Sequence, residues 1–229
     1  MFDFNHTDTR AVPLLEQLSP EVRQCLLSKA RCRSFARGET LCLQGETAET
    51  LKIVMDGWVK LYRVSENGSE AVLATLPAGQ SFDELAALRR GRSSVSAEAI
   101  SECRVMFLDV ATICGCDNAY REINEAVLSA ASDHFDGMVH QVEQLKISNG
   151  VERLTDFLLS LSGNGRGGCD LVLPFEKVVL AGMLGMKPES LSRAFGKLKA
   201  FGVKSHNRQV RIEKIEELRA LSGQGSAFC

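Results

Sequence analysis

The chain has 229 residues, 45% hydrophobic and 24% charged, with a formal net charge of −2, which is ordinary for a protein with a packed core and leaves room for one large domain or two modest ones. No apolar run approaches the ~20 residues needed to span a bilayer, and the N-terminus lacks a basic-then-apolar signal segment, so a cytoplasmic protein without a membrane partner is expected. There the cysteines are expected to be reduced; Cys25, Cys32, Cys42, Cys103, Cys114, Cys116, Cys169 and Cys229 are scattered and do not form the paired CxxC groups of a zinc site.

A short helical lead, Val12 to Lys29, opens the fold. From about Arg31 to Val110 the chain reads as short strands separated by glycine turns. Ser34-Phe-Ala precedes Arg37-Gly-Glu39, and Leu41-Cys-Leu-Gln44 runs into Gly45-Glu46. Leu51–Met55 is followed by Asp56-Gly57, Trp58–Val64 by Asn67-Gly68, and Glu70–Leu76 by Pro77-Ala-Gly79. Asn-Gly between β-rich runs signals a hairpin, because both turn residues need positive φ. Evenly spaced strands with such turns predict a small barrel or double-sheet roll. Cys114-Gly-Cys116 is the one close thiol pair and reads either as structural or as redox chemistry.

From about Asp117 to Ser148 the pattern becomes helical. Ile123, Val127, Ala130, His134, Met138 and Leu145 recur at spacings near three and four, with Ala131 and Val142 beside them. A long helix with one apolar seam is a natural homodimer interface; alternatively the seam packs back on the roll of its own chain.

From Asn149 onward, Val151–Leu161 is amphipathic, Ser162–Gly168 is a glycine-rich loop and Leu171-Val-Leu is a strand. Phe175–Met183 forms a short helix, Gly185 a sharp turn, and Pro188, suited to a first helical position, opens a second helix. Glu189, Ser192 and Arg193 fall at i, i+3 and i+4 on one face, while Leu191, Phe195 and Leu198 mark an apolar one. Helix, glycine turn and second helix with polar residues near its start form a helix-turn-helix. Arg can fork onto guanine, Glu can accept from cytosine, and Ser can reach a base or a phosphate; the same Glu/Arg spacing also fits a surface ion pair. Lys187, Arg193, Lys197, Lys199, Lys204, Arg208 and Arg211 gather here against Glu189 alone, as phosphate contacts require. Gly202–Ile212 reads as a hairpin with a Ser205–Arg208 tip, a wing for the DNA backbone, and Glu213–Leu221 as a last helix. Glu189, Ser190, Ser192, Arg193, Lys197, Lys204, His206 and Arg208 are therefore the candidate contacts to double-stranded DNA.

These segments together resemble the Crp–Fnr family of bacterial transcription regulators over nearly the whole chain. Arg37-Gly-Glu39, Gln44-Gly-Glu46, Val54–Tyr62 and Pro77–Phe82 look like its effector-binding roll, and Glu189-Ser-Leu-Ser192-Arg193 like the E-x-x-S-R signature of its Fnr branch. The resemblance implies an α+β chain of three parts. Residues 1–115 would be a double-stranded, cyclic-nucleotide-binding-like β-roll with an N-terminal helix, 116–148 a dimerisation helix, and 149–229 a winged helix-turn-helix domain. It further implies an inverted TTGAT-type operator, RNA polymerase as a partner and a small-molecule or gas effector.

The family's nucleotide-responsive members carry a phosphate cassette with a ribose-holding Glu and a phosphate-neutralising Arg. The expected effector pocket is accordingly Phe82, Asp83, Glu84, Leu85, Arg92, Ser93 and Ser94. Asp83 stands where that cassette has Gly and adds a negative charge; counted from Ala97–Ile100, the family's Arg position falls nearer Ser93 than Arg92, and a one-residue slip in a strand reverses a side chain. Cys25 and Cys32 do not make the four-thiolate set of the iron–sulfur members. Val95–Ala99 and Asp83-Glu84 look most like the nitric-oxide-responsive denitrification regulators, which implies haem, with His6, His134, His140 and the cysteines as candidate ligands. His134 reads more readily as a packing histidine of the helix seam, and His206 as a DNA contact. Thiol or metal redox sensing through Cys114 and Cys116, and a ligand-binding module acting on a partner protein, are the competing readings. No Ser/His/Asp grouping, P-loop or HExxH helix points to an enzyme.

Overall fold

A computed structural model of the chain describes residues 12–110, 117–163 and 167–221. Two compact units divide it at Met138/Val139, inside one long helix.

In the first unit, helices α1 (Pro13–Glu16) and α2 (Pro20–Ser28) begin on prolines. Eight strands follow: β1 (Arg31–Phe35), β2 (Thr40–Cys42), β3 (Leu51–Asp56), β4 (Trp58–Val64), β5 (Glu70–Pro77), β6 (Ser81–Phe82), β7 (Ser96–Ala99) and β8 (Cys103–Leu108), with helix α3 (Glu84–Leu88) between β6 and β7. They form two antiparallel four-stranded sheets, ordered β1-β8-β3-β6 and β2-β7-β4-β5. The Asn67-Gly68 signal closes the β4–β5 hairpin. Asp56-Gly57 does something else: it carries the chain from one sheet to the other. Gly57 has φ 78°, and a Cβ there would lie 2.1 Å from the Glu102 carbonyl oxygen, so no other residue fits.

Strand β3 is buried on both faces over Leu51–Val54, which is why it reads as a nearly continuous apolar run. Between the sheets, Phe35, Val54 and Val105 meet Val59, Leu76 and Ala97. On the outer face of the first sheet, Leu51, Ile53, Met106 and Leu108 pack under Leu14, Leu15, Leu18 and Leu26 of the N-terminal helices and under the long helix α4 (Asp117–Ile147). Ile123, Val127 and Ala130 of α4 are buried in this second core. The expected dimer seam is therefore corrected over its first half: these three side chains cover the protein's own roll. Each such burial contributes roughly 1.5–3 kcal/mol for a Val- or Ile-sized side chain.

The second unit holds the end of α4 and α5 (Gly150–Ser162), β9 (Cys169–Val172), α6 (Lys177–Met183), α7 (Pro188–Leu198), β10 (Val203–His206), β11 (Gln209–Ile212) and α8 (Ile215–Leu221). Asn149 starts α5 with a capping box: its side chain accepts from Val151 N–H (2.9 Å) and Glu152 N–H (3.2 Å), and Glu152 accepts in return from Asn149 N–H. The strands form an antiparallel sheet ordered β10-β11-β9, so the wing hairpin gains a third strand from Cys169–Val172.

Candidate DNA interface and effector site

The helix-turn-helix is α6, a turn at Leu184–Lys187, and α7. Pro188 opens α7; Leu191, Ala194, Phe195 and Leu198 are buried, leaving Glu189, Ser192, Arg193 and Lys197 on the exposed side and Ser190 partly covered. Arg193 Nη2 lies 3.3 Å from Ser190 Oγ, so the guanidinium is loosely held one helical turn back along α7. The turn is tightly packed. Gly185 has φ 62°, and a Cβ on it would meet Leu145 Cδ2 at 2.5 Å; one on Gly150 would meet Met186 Sδ at 2.6 Å. Arg153 of α5 donates from Nε to the Leu184 carbonyl (2.9 Å) and from Nη1 to the Ser148 carbonyl, which ties the α4–α5 junction to the turn. Leu145, expected in a dimer seam, thus packs on Gly185, although it remains 43% exposed.

The wing is less free a source of positive charge than the sequence suggests. Lys204 Nζ pairs with Glu213 (2.6 Å), and Arg211 makes a two-pronged pair with Asp170 (2.6 and 2.9 Å). These hydrogen bonds and charges hold the Glu213 and Asp170 carboxyls below the usual carboxylate range. Arg208 donates from Nε to the Leu173 carbonyl (2.8 Å), which fixes the tip, and His206 is exposed beside Asn207, whose φ is 50°. Lys177 of α6 links the parts: its ammonium lies 4.7 Å from the centre of the Phe195 ring and donates to Ser205 Oγ (3.1 Å). Partial burial pushes its pKa down. The sequence marks neither Lys177 nor Arg153, because each works through a contact distant in the chain.

In the roll, the residues expected to form an effector pocket separate into two sets. Phe82, Asp83, Glu84 and Ser93 are turned inward; Arg92 and Ser94 are exposed and Leu85 is 37% exposed, so those three are corrected out of the interior cluster. Arg92 Nη1 donates to the Gly45 carbonyl (2.7 Å) instead. Glu84 is buried at the start of α3, where Oε1 accepts from Ser81 Oγ (2.5 Å) and lies 3.7 Å from His134 Nδ1 of α4. Asp83 is engaged by Lys52 and Ser93. Lys52 was legible in principle: a lysine in Leu51-Lys-Ile-Val-Met shares a strand face with Val54 and needs a buried partner.

Comparison with known proteins gives this geometry its family. Residues 32–113 match the family profile of the cyclic nucleotide-binding domain, and residues 152–221 that of the Crp-like helix-turn-helix domain. A solved structure from Ruegeria pomeroyi, provisionally assigned to cyclic nucleotide binding, is 43% identical, spans 93% of this chain and 94% of its own, and superposes with a TM-score of 0.66. The fumarate and nitrate reduction regulatory protein of Salmonella typhimurium is 24% identical over 84% of this chain and 79% of its own length. The chain belongs to the Crp–Fnr family of transcription regulators. FixK2 from Bradyrhizobium japonicum, at 22% identity and a TM-score of 0.72 over 86% of this chain, shares the fold.

As a Crp–Fnr protein the chain is a DNA-binding transcription regulator and not an enzyme. No helix among the described residues is long and apolar enough to cross a membrane. Among the described residues, His134, His140, Cys32, Cys42 and Cys103 are poorly suited to ligate haem. His134 is turned to Glu84 and His140 lies exposed beside Glu143 at 3.7 Å. Burial raises the thiol pKa of Cys32 and Cys42, and pushes that of Cys103 up to about 11 with Asp56 and Glu39 adding to it, which opposes thiolate ligation. His6, Cys114, Cys116 and Cys229 lie outside the described residues. Among those described, no group of three or more His, Cys, Asp or Glu side chains could hold a metal ion.

Proposed function

We propose that this regulator binds as a homodimer to an inverted TTGAT-type operator in the cytoplasm, that a small-molecule or gas effector gates it, and that it acts on RNA polymerase. The observation that carries the operator reading is the exposed face of α7, where Glu189, Ser192 and Arg193 project from a helix whose opposite face is buried. That face suits the Fnr-type signature. Arg193 would read guanine and Glu189 cytosine, while Ser190, Ser192 and Lys197 would reach bases or phosphates. Lys204, Arg208 and His206 of the wing would lie along the backbone, Lys204 weakly because Glu213 already neutralises it.

The dimer reading rests on a redrawn seam. Leu128, Ala131, Phe135, Met138, Val142 and Leu145 follow spacings of alternating three and four along α4. Leu128 (59%), Phe135 (61%), Met138 (56%) and Val142 (51%) are strongly exposed. That is a coiled-coil repeat whose Leu128, Phe135, Met138 and Val142 are left uncovered by the described residues of the single chain. His134, beside Glu84 rather than on this row, would report the state of the roll to α4. The packing of Leu145 on Gly185 and the Arg153 clamp support transmission from the end of α4 to the recognition helix, a coupling typically of ~1–3 kcal/mol.

The test is equilibrium binding of Arg193→Ala to a TTGAT-type duplex and to a scrambled one at fixed salt. The specific duplex should lose roughly 1–3 kcal/mol and the scrambled one almost nothing. Equal losses on both would sink the base-reading role.

A further inference from the structure

Enclosed between the two sheets of the roll is an ion pair with no evident packing purpose. Lys52 lies on the inward face of β3 with Val54, and its Nζ is 2.7 Å from Asp83 Oδ2; the two side chains are only 6% and 3% exposed. Ser93, itself 3% exposed, has its Oγ 2.8 Å from the other oxygen, Oδ1, and 2.8 Å from the Val95 carbonyl, so its one hydroxyl hydrogen is shared between these two acceptors. Cys42 Sγ is 3.9 Å from Oδ2, and Lys52 also donates to the Thr50 carbonyl (3.2 Å) and lies 5.5 Å from the centre of the Phe82 ring. Both carboxylate oxygens are therefore satisfied by side chains that converge from β3 and from the segment before β7.

The arrangement is costly in two ways. Two charges are removed from water, which mutual attraction often only just offsets. Asp83 also adopts φ 62° and ψ 19°, a left-handed conformation that side chains other than glycine seldom take. Taken without the Asp83 side chain, an ammonium and a hydroxyl would face one carboxylate-sized space inside a cyclic nucleotide-binding domain. Such a site would receive an oxyanion.

We propose that Asp83 is the built-in occupant of an oxyanion site: its carboxylate, tethered to the chain, takes the place of a diffusible anion on Lys52 and Ser93. The roll then holds this interior closed without a nucleotide, and the phosphate of a cyclic nucleotide is refused there, since Lys52 can neutralise only one of two adjacent anions. Asp83→Gly relieves the backbone and uncovers the site.

The test uses the full chain and no DNA, so its outcome is separate from that of the operator reading. Cyclic AMP, inorganic phosphate and acetate are titrated by calorimetry and by thermal melting. The unchanged protein should show no saturable response to any of them. Asp83→Gly should gain saturable stabilisation by acetate and phosphate, with an apparent affinity at least tenfold above the unchanged protein, and lose it when Lys52→Met is added. Saturable micromolar binding of cyclic AMP to the unchanged protein overturns the proposal. So does a folded Asp83→Gly protein that responds to the anions no more than the unchanged one. Should Asp83→Gly fold only when acetate or phosphate is present, the anion has replaced the carboxylate and the proposal stands; should it not fold at all, the cyclic AMP titration of the unchanged protein decides.

Discussion

At Gly185 a single methyl group separates a helix-turn-helix from a misfit. The residue combines φ 62° with Leu145 Cδ2 in the space a Cβ would fill. Gly185→Ala should therefore cost about 1–3 kcal/mol from the backbone alone, plus the displacement of Leu145, read as a lower denaturant midpoint. Stability equal to that of the unchanged protein would contradict the packing. The wing carboxylates give a pH dependence of known sign. Asp170 and Glu213 have folded pKa values below their unfolded values, so their contribution is present above pH ~4 and is lost as pH falls through the folded values. A protein carrying Asp170→Asn and Glu213→Gln should melt at a lower temperature at neutral pH and converge with the unchanged protein as pH falls, so that its acid limb is flatter. A steeper acid limb would reverse the sign assigned here.

At the scale of elements, α4 shows what periodicity reveals and what it leaves open. Spacings of three and four locate a long amphipathic helix between 117 and 148, close to its span of Asp117–Ile147. They do not say what covers each face. Apolar residues fall on two faces: Ile123, Val127 and Ala130 meet the roll, while Leu128, Phe135 and Met138 are exposed. Only the tertiary fold separates these sets. Val127→Ala should lower the melting temperature and leave the association state unchanged, whereas Phe135→Glu should dissociate the protein with little loss of roll stability; analytical ultracentrifugation and melting together distinguish them. The reverse pattern would return the seam to the buried face. At the start of α5, Asn149→Ala should cost ~1 kcal/mol through loss of the capping box, by denaturant melts.

The strands of the roll were readable through their glycine turns, and the recognition helix through Pro188 and the Glu189–Arg193 face. The interior of the roll was readable only in part: counting back from Ala97–Ile100 sets Ser93 rather than Arg92 at the family's Arg position, and the fold does turn Ser93 in and Arg92 out, but the partner of Lys52 lies 31 residues away at Asp83 and left no local signal. Ion pairs formed across the wing sheet, Arg211 with Asp170 and Lys204 with Glu213, join residues too far apart in sequence for a local charge count to register.

For the whole molecule, the balance of charge matters more than its sum. A chain of net charge −2 would be repelled by DNA if its charge were evenly spread, yet Lys187, Arg193, Lys197 and Lys199 are exposed around α7. Loss of one phosphate-contacting lysine, Lys197→Ala, should weaken specific and scrambled duplexes alike and reduce the slope of log affinity against log salt by about one; a change confined to one sequence would make Lys197 a base reader. A two-fold dimer would place two α7 helices about one helical turn, ~34 Å, apart, matching an inverted site. The most direct measurement of the central claim is sedimentation of the unchanged protein with a labelled duplex carrying two inverted TTGAT boxes, and with duplexes in which one box is scrambled or shifted by half a turn. Two protomers per duplex, with affinity lost on scrambling or shifting one box, is the predicted result. One protomer per duplex, or equal affinity for all three sequences, would contradict it.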